Sequence, residues 1–523
     1  MKEDKIEAAV TGKAGFAKKP VRREGRKAPS LFWRCLLAVF LMFFFYVFAL
    51  AIAVGLLYIP YWQMTYGERI NGRLFVMCIV GAGVILWSVI PRRDRFIPPG
   101  PRLSPEQHPA LFRELRTVAD AMQQAMPVEV YALCEVNAWV ANRGGVMGIG
   151  GRRIMGLGLA LLERLAIPEL RAVVAHEFGH YHGGDTAIAP WIFKTRSAVI
   201  RTVEGLDDRP VLRLPFVGFA KVFLRITNAV SRQEEFAADA LSAEFAGADV
   251  CASALRKVHG SSMAFDSFWS TEVVPVLQAG YRPPVSRGFR DYITRESIAK
   301  AVRDYLEHEL SESRHDPYDS HPSLRERLQA LGVADAARSP AEEPSAIELL
   351  NASEQIEDDQ LVALMVLNGI QPKGGIAWKD TLACVYAPMW TKHAAEHAKA
   401  LSGIRPEDLP ALSLDPASLV KRFKVTLGAT VPKDQMPDAA AAIVGSALAA
   451  ALHKRGIAMN CEVGAPVSAT LDGETVRPLE ILQVLGVDKT LAPERWIALC
   501  NAVGLAGIDL GKAVVEANQK QLG

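Results

Sequence analysis

His176-Glu177-Phe178-Gly179-His180 holds the pattern H-E-x-x-H. Four residues of α-helix turn through about 400°, so the two histidines would stand within roughly 40° of each other on one face. Two imidazoles so placed can chelate one zinc ion, and Glu177 beside them is within reach of a water on that ion. The stretch 166–185, AIPELRAVVAHEFGHYHGGD, reads as the helix that carries them. Pro168 suits a helix start, and Glu169 lies in the first turn, where the helix dipole favours negative charge. Leu170, Val173 and Val174 recur at helical spacing, and Gly183-Gly184 can end the helix. His182 reads as a surface residue at that end.

Zinc with two histidines needs a third protein ligand and an open position for water. Glu235, 55 residues beyond His180, opens a second helical pattern with Phe236, Ala240 and Leu241, and Asp239 follows on the same face. Glu235 can ligate the metal. Asp239 can accept the second ring N–H of a ligand histidine. Glu234 is the alternative ligand, and a helix start rich in acids is the plain structural reading. A second histidine pair lies in His393-Ala394-Ala395-Glu396-His397, the inverted pattern H-x-x-E-H. It has no obvious third ligand, and Lys392 and Lys399 mark a solvated helix face, so it reads as a decoy.

These residues must be positioned by a chain of 523 residues, long enough for two or three domains. Half of the residues are apolar and the net charge is +2, which leans toward a membrane protein and away from nucleic-acid binding. Seven scattered cysteines without a C-x-x-C pair read as reduced thiols. Residues 1–34 are polar, with ten Lys or Arg, and read as a disordered basic segment. An uncharged run at 35–59 and a second at 74–90 are each adequate to span a bilayer, and Tyr58, Tyr61 and Trp62 form an aromatic edge. Arg92, Arg93 and Arg95 follow the second run. Positive charge at both outer ends predicts a two-span hairpin over 35–95, with the N-terminus and everything after Arg92 in the cytoplasm, at a cell's inner (plasma) membrane.

A proline-rich linker at 96–105 leads to an amphipathic helix over 106–126. Strands are expected at 128–133 and 138–140, a glycine-bearing hairpin at 146–157, and a short helix at 159–165 before the metal helix. Asn137-Ala138 is the candidate edge at which an extended peptide would pair through its backbone. Residues 211–226 mix apolar residues with Arg213, Lys221 and Arg225, which argues against a third span. They fit an amphipathic helix at the lipid surface or a helix buried in the fold.

HEFGH followed by Asp185, then SRQEEFAAD, resembles the gluzincin family of HtpX-type membrane proteases and CaaX prenyl-protein endoproteases. A third mark, Ser320-His321-Pro322 through Arg327, is similar to the family's H-P-x-x-x-x-R element, and the resemblance covers about 105–331. It implies that His176, His180 and Glu235 bind one zinc per chain and that Glu177 is the base. It also implies that His321 and Arg327 approach the site, where either could stabilise an oxyanion. In some relatives the equivalent histidine can occupy the open zinc position. Family members with more spans usually carry extra membrane helices between the H-E-x-x-H helix and the third ligand. Here that stretch is charged, which weakens any claim to a prenyl-protein substrate.

The expected fold is therefore α+β and mainly helical: the membrane hairpin, a zincin-like metalloprotease domain over 96–332 with a small edge-exposed sheet, a linker at 333–345, and a C-terminal α/β or α+β domain over 346–523. The expected activity is membrane-anchored, zinc-dependent hydrolysis of protein substrates at the cytoplasmic face, possible work in membrane-protein quality control included. The alternative is a protease-fold binding or assembly factor with little catalysis.

Overall fold

The computed structural model describes residues 31–67, 71–90, 96–143, 151–181, 189–311, 319–333, 344–428 and 431–522. The expected glycine stretch 146–150, Asp185, His182 and Gly183-Gly184 lie outside them. The architecture is mainly helical α+β, with three small sheets among the described residues.

Helix α1 (Leu31–Tyr66) and helix α2 (Gly72–Val89) form an antiparallel apolar pair. Helix α1 runs past the expected end at Ile59, carrying Pro60 inside it, because Tyr61, Trp62 and Met64 continue a helix-compatible apolar surface. Among the described residues, three helical stretches are long and apolar enough to cross a membrane: Leu36–Tyr66, Gly72–Val89 and Met436–Lys454. The third is 67% buried within the protein and is the central helix of the C-terminal unit.

The unit that carries the H-E-x-x-H motif begins with strand β1 (Arg102–Leu103) and helix α3 (Pro109–Ala121). Leu111, Leu115, Val118 and Met122 are buried as their spacing requires, but α3 is shorter than the expected 106–126, since Gln123 turns to a positive φ. Strands β2 (Glu129–Leu133), β3 (Ala138–Arg143) and β4 (Arg152–Gly158) complete a sheet of order β1-β2-β4-β3. Strand β2 runs parallel to β4, and β3 pairs antiparallel with β4 and is left at the edge. Helix α4 (Leu159–Arg164) leads into α5 (Ile167–Gly179), the H-E-x-x-H helix.

Helices α6 (Ala189–Gly205) and α7 (Pro210–Ala246) follow. The first half of α7 packs on the apolar pair, with Phe216 and Phe219 against Phe44, Phe45 and Phe48, and Leu212 beside Gly81. Residues 211–226 are thus part of a packed helix. Glu235 does not start a helix as expected. It lies well inside the 37-residue α7, because nothing between Pro215 and Gly247 interrupts the helical pattern.

Helix α8 (Ala248–Phe268) packs beneath α5, and α9 (Val285–Ile293), α10 (Glu296–Ser311) and α11 (Leu324–Leu331) close the unit. The chain returns to this core later than the expected boundary allows. Ser345 bonds to the carbonyls of Leu162 and Glu163, Ala346 and Leu349 join the same core, and helix α12 (Ser353–Leu367) adds Ile356, Leu361 and Met365 to it. Strands β5 (Tyr281–Arg282) and β6 (Gly374–Gly375) pair across this return. The separate C-terminal core gathers from about Tyr386 onward.

That core surrounds α14 (Met436–Lys454), flanked by α13 (Ala387–Glu396). Strands β7 (Met459–Asn460), β8 (Ser468–Leu471) and β9 (Glu474–Val476) make an antiparallel meander. The Asp472-Gly473 turn has two positive φ values, the geometry of a tight hairpin.

Candidate active site

The first turn of α5 is anchored by a buried carboxylate. Glu169 is fully buried and accepts hydrogen bonds from the Ala166 backbone N–H at 2.8 Å, Ser253 Oγ at 2.6 Å and Lys257 Nζ at 2.6 Å. A buried carboxylate so satisfied fixes the helix start and ties it to α8. Further along, Ser242 Oγ donates to the Ala172 carbonyl at 2.7 Å, joining α7 to α5. Gly179 lets the two helices close: a Cβ there would meet Ala238 Cα at 3.0 Å. Close contact at this point is what brings the acids of α7 to the histidines of α5.

His176 Nε2 and His180 Nε2 lie 3.2 Å apart. Glu235 Oε2 is 3.4 Å from His176 Nε2, and Glu235 Oε1 is 3.6 Å from His180 Nε2. A tetrahedral zinc with N and O ligands separates its ligand atoms by about 3.3–3.5 Å. The three donors therefore sit at the spacing such an ion needs. They form the only His, Cys, Asp or Glu group of this kind among the described residues. Glu234, the alternative ligand, is not part of it.

The donor set is oriented from behind. Asp239 Oδ1 is 2.9 Å from His176 Nδ1, so the ring presents Nε2 to the front. Arg327, carried by α11, grips Asp239 with two bonds, Nε at 2.8 Å and Nη2 at 2.6 Å, and stands 3.5 Å from Glu235. Arg327 is buried and faces the acids rather than the open side. His321 takes the other flank: its exposed ring has Nδ1 3.0 Å from Glu235 Oε1. Ser323 caps α11 with a reciprocal bond to Glu326, which places both residues of this element.

Charge follows the same pattern. Burial raises the Glu177 carboxyl to about 7, helped by the nearby Glu235 and opposed by His176, by a Val140 backbone hydrogen bond and by Arg327. Burial and the neighbouring His176 push His180 down to about 4. Burial opposes ionisation of Glu235, but hydrogen bonds from His176 and His321 win and hold it well below the usual carboxylate range. These are the forms that bind a cation; at His176 burial is outweighed by hydrogen bonds to Asp239 and Glu235, which raise it to about 9, so a cation bound there displaces a proton.

Residues 105–334 match peptidase family M48. The chain is similar to a protein named Protease HtpX from Hahella chejuensis, 26% identical over 221 residues, covering 38% of this chain and 65% of that protein. A Protease HtpX homolog from Moorella thermoacetica is 27% identical over 265 residues, covering 46% of this chain and 81% of the relative. Protease HtpX from Pseudomonas aeruginosa is 29% identical over 241 residues, covering 42% and 70%.

Residues 105–334 are an M48 peptidase domain of the HtpX type.

No solved structure matches the chain. The C-terminal unit lies outside the M48 domain, whereas the segment 344–378 packs into that domain's core from beyond the matched residues.

The edge strand of the M48 domain supplies residues that the motifs do not announce. The Gly158 N–H donates to the Asn137 carbonyl at 2.8 Å, so Asn137 faces into the sheet. Antiparallel pairing alternates, so Ala138, Val140 and Asn142 turn their backbone groups outward. Of the expected pair, Ala138 is thus the one that offers an outward edge. Tyr181, directly after the motif, donates its hydroxyl to the Val140 carbonyl at 2.9 Å. Burial raises that phenol to about 12, so it stays a donor. Its position next to His180 was the only sequence signal for this link.

Proposed function

We propose that the chain is a membrane-anchored zinc endopeptidase that hydrolyses peptide bonds of protein substrates, with its M48 domain on the cytoplasmic side of an inner (plasma) membrane and its work in membrane-protein quality control. The observation that carries the reading is the convergence of His176, His180 and Glu235 at tetrahedral spacing, beside a Glu177 whose carboxyl is raised to about 7. The relatives this chain resembles are themselves named as proteases. The basic residues before Arg34 and after Ile90 support the orientation.

His176, His180 and Glu235 would hold one zinc per chain. Bound zinc supplies Lewis acidity, which polarises a peptide carbonyl and makes water a nucleophile near neutral pH. Glu177 accepts the proton of the attacking water and passes it to the leaving amine, a task suited to a carboxyl with a pKa near neutrality. Asp239, held by Arg327, keeps His176 in the tautomer with a free Nε2. His321, exposed at the open flank, is the better placed of the two oxyanion candidates, because Arg327 is committed to Asp239 and Glu235. An extended substrate adds to the outer edge of β3, beginning at Ala138.

Casein hydrolysis by the purified protein, beside Glu177→Gln, tests the reading. Activity in the wild type, lost in Glu177→Gln with zinc retained, is the expected result. Equal activity in the two would remove Glu177 from its role. Zinc without any hydrolysis in the wild type would favour the binding or assembly factor.

A further inference from the structure

Val140 is an edge-strand residue that touches the proposed base. Both of its outward backbone groups are already engaged: its N–H bonds to the Glu177 carboxylate, and its carbonyl accepts the Tyr181 hydroxyl at 2.9 Å. Tyr181 is itself held on two sides. The Arg153 guanidinium lies over its ring, 4.2 Å from the centroid, and Gln124 Nε2 donates to its backbone carbonyl at 3.3 Å. Arg153 Nη1 in turn donates to Gln124 Oε1 at 3.1 Å and to the Ala125 carbonyl at 3.3 Å. The turn after α3, strand β4 and the end of α5 thus meet at Tyr181, and its hydroxyl bonds one carbonyl of β3.

A peptide laid along an edge strand bonds to alternate residues, here Ala138, Val140 and Asn142. With Val140 capped, pairing is divided into two parts, one on either side of Glu177. We infer that Tyr181 is a positioning residue that fixes β3 against the H-E-x-x-H helix and divides the substrate edge, so that the bond to be cut lies opposite the capped Val140. The cap does two things at once. It holds Val140 where its N–H meets Glu177, and it denies the substrate one backbone hydrogen bond at the position where the peptide must distort. The inference rests on the endopeptidase reading.

Tyr181→Phe tests it, because the ring stays beneath Arg153 and only the hydroxyl is lost. Hydrolysis of a fluorogenic decapeptide gives kcat and KM separately, with zinc content measured on the same samples. The expected result is a split. KM falls by about five-fold, the worth of one freed backbone hydrogen bond. kcat falls by about ten-fold, because β3 is no longer fixed beside Glu177. A set of decapeptides, each N-methylated at one backbone amide near the cut, should contain one member for which the variant loses its KM gain, while its wild-type KM stays at the parent value. A wild type that cleaves, with Tyr181→Phe matching it in both constants, overturns this inference and leaves the endopeptidase reading standing. So does a Tyr181→Phe that loses zinc and activity together, which would make the tyrosine structural. A wild type that neither binds zinc nor cleaves overturns the endopeptidase reading and this inference with it.

Discussion

Two histidine pairs in this chain share the same four-residue spacing and end in different surroundings. His176 and His180 lie on one helix face with ring centroids 4.7 Å apart, and α7 delivers Glu235 and Asp239 against them. His393 and His397 carry the inverted zinc pattern, yet their rings are 5.7 Å apart and His397 lies past the end of α13 with non-helical φ. His393 Nδ1 faces Ser446 Oγ at 3.4 Å, and His397 packs against Phe423. Neither belongs to a possible metal group among the described residues. Two histidines one turn apart are common to both pairs. What separates them is carboxylates supplied by a second helix, and a small residue, Gly179, that lets that helix come close.

The largest test of this contrast exchanges the glutamates. Glu177→Gln should lower peptide hydrolysis by about 10²–10⁴-fold, the range of general acid–base catalysis, whereas Glu396→Gln should leave it unchanged. A smaller effect is expected behind the ligands. Asp239→Asn should weaken zinc affinity by about 10–100-fold, measured by competition with a chelating dye, because His176 loses the acceptor that fixes its tautomer. The smallest effect belongs to the second pair. Burial and the neighbouring His393 lower the pKa of His397 from its ordinary value. A histidine with a lowered folded-state pKa contributes stability that is present above its unfolded pKa and is lost as pH falls through the folded value. His397→Gln should therefore narrow the gap between the thermal midpoints at pH 8 and pH 5 slightly, with no change in zinc content.

The sequence exposes some of this contrast and hides the rest. The four-residue step from His176 to His180 and from Glu235 to Asp239 is helical geometry, and it is readable because both steps fall in apolar helical patterns. The two apolar spans are readable for the same reason, since hydropathy needs no knowledge of packing. Glu235 is misread as a helix start because acids favour first turns, while the long α7 is stabilised by packing of Phe216 and Phe219 on α1. The return of residues 344–378 to the M48 core is hidden by the composition break before it. Its cause is distant: Ser345 bonds to α4, and Leu361 and Met365 fill a core made from the first half of the unit. The capping of Val140 by Tyr181 depends on sheet order, which no local pattern specifies.

The central claim is that carboxylates from α7, and not histidine spacing alone, make the metal site. Zinc content per chain, measured by mass spectrometry on the wild type, Glu235→Ala and the double variant His393→Ala/His397→Ala, tests it most directly. One zinc is expected in the wild type, a loss in Glu235→Ala, and one zinc in the double variant. Zinc retained in Glu235→Ala, or lost from the double variant while it stays folded, would contradict it.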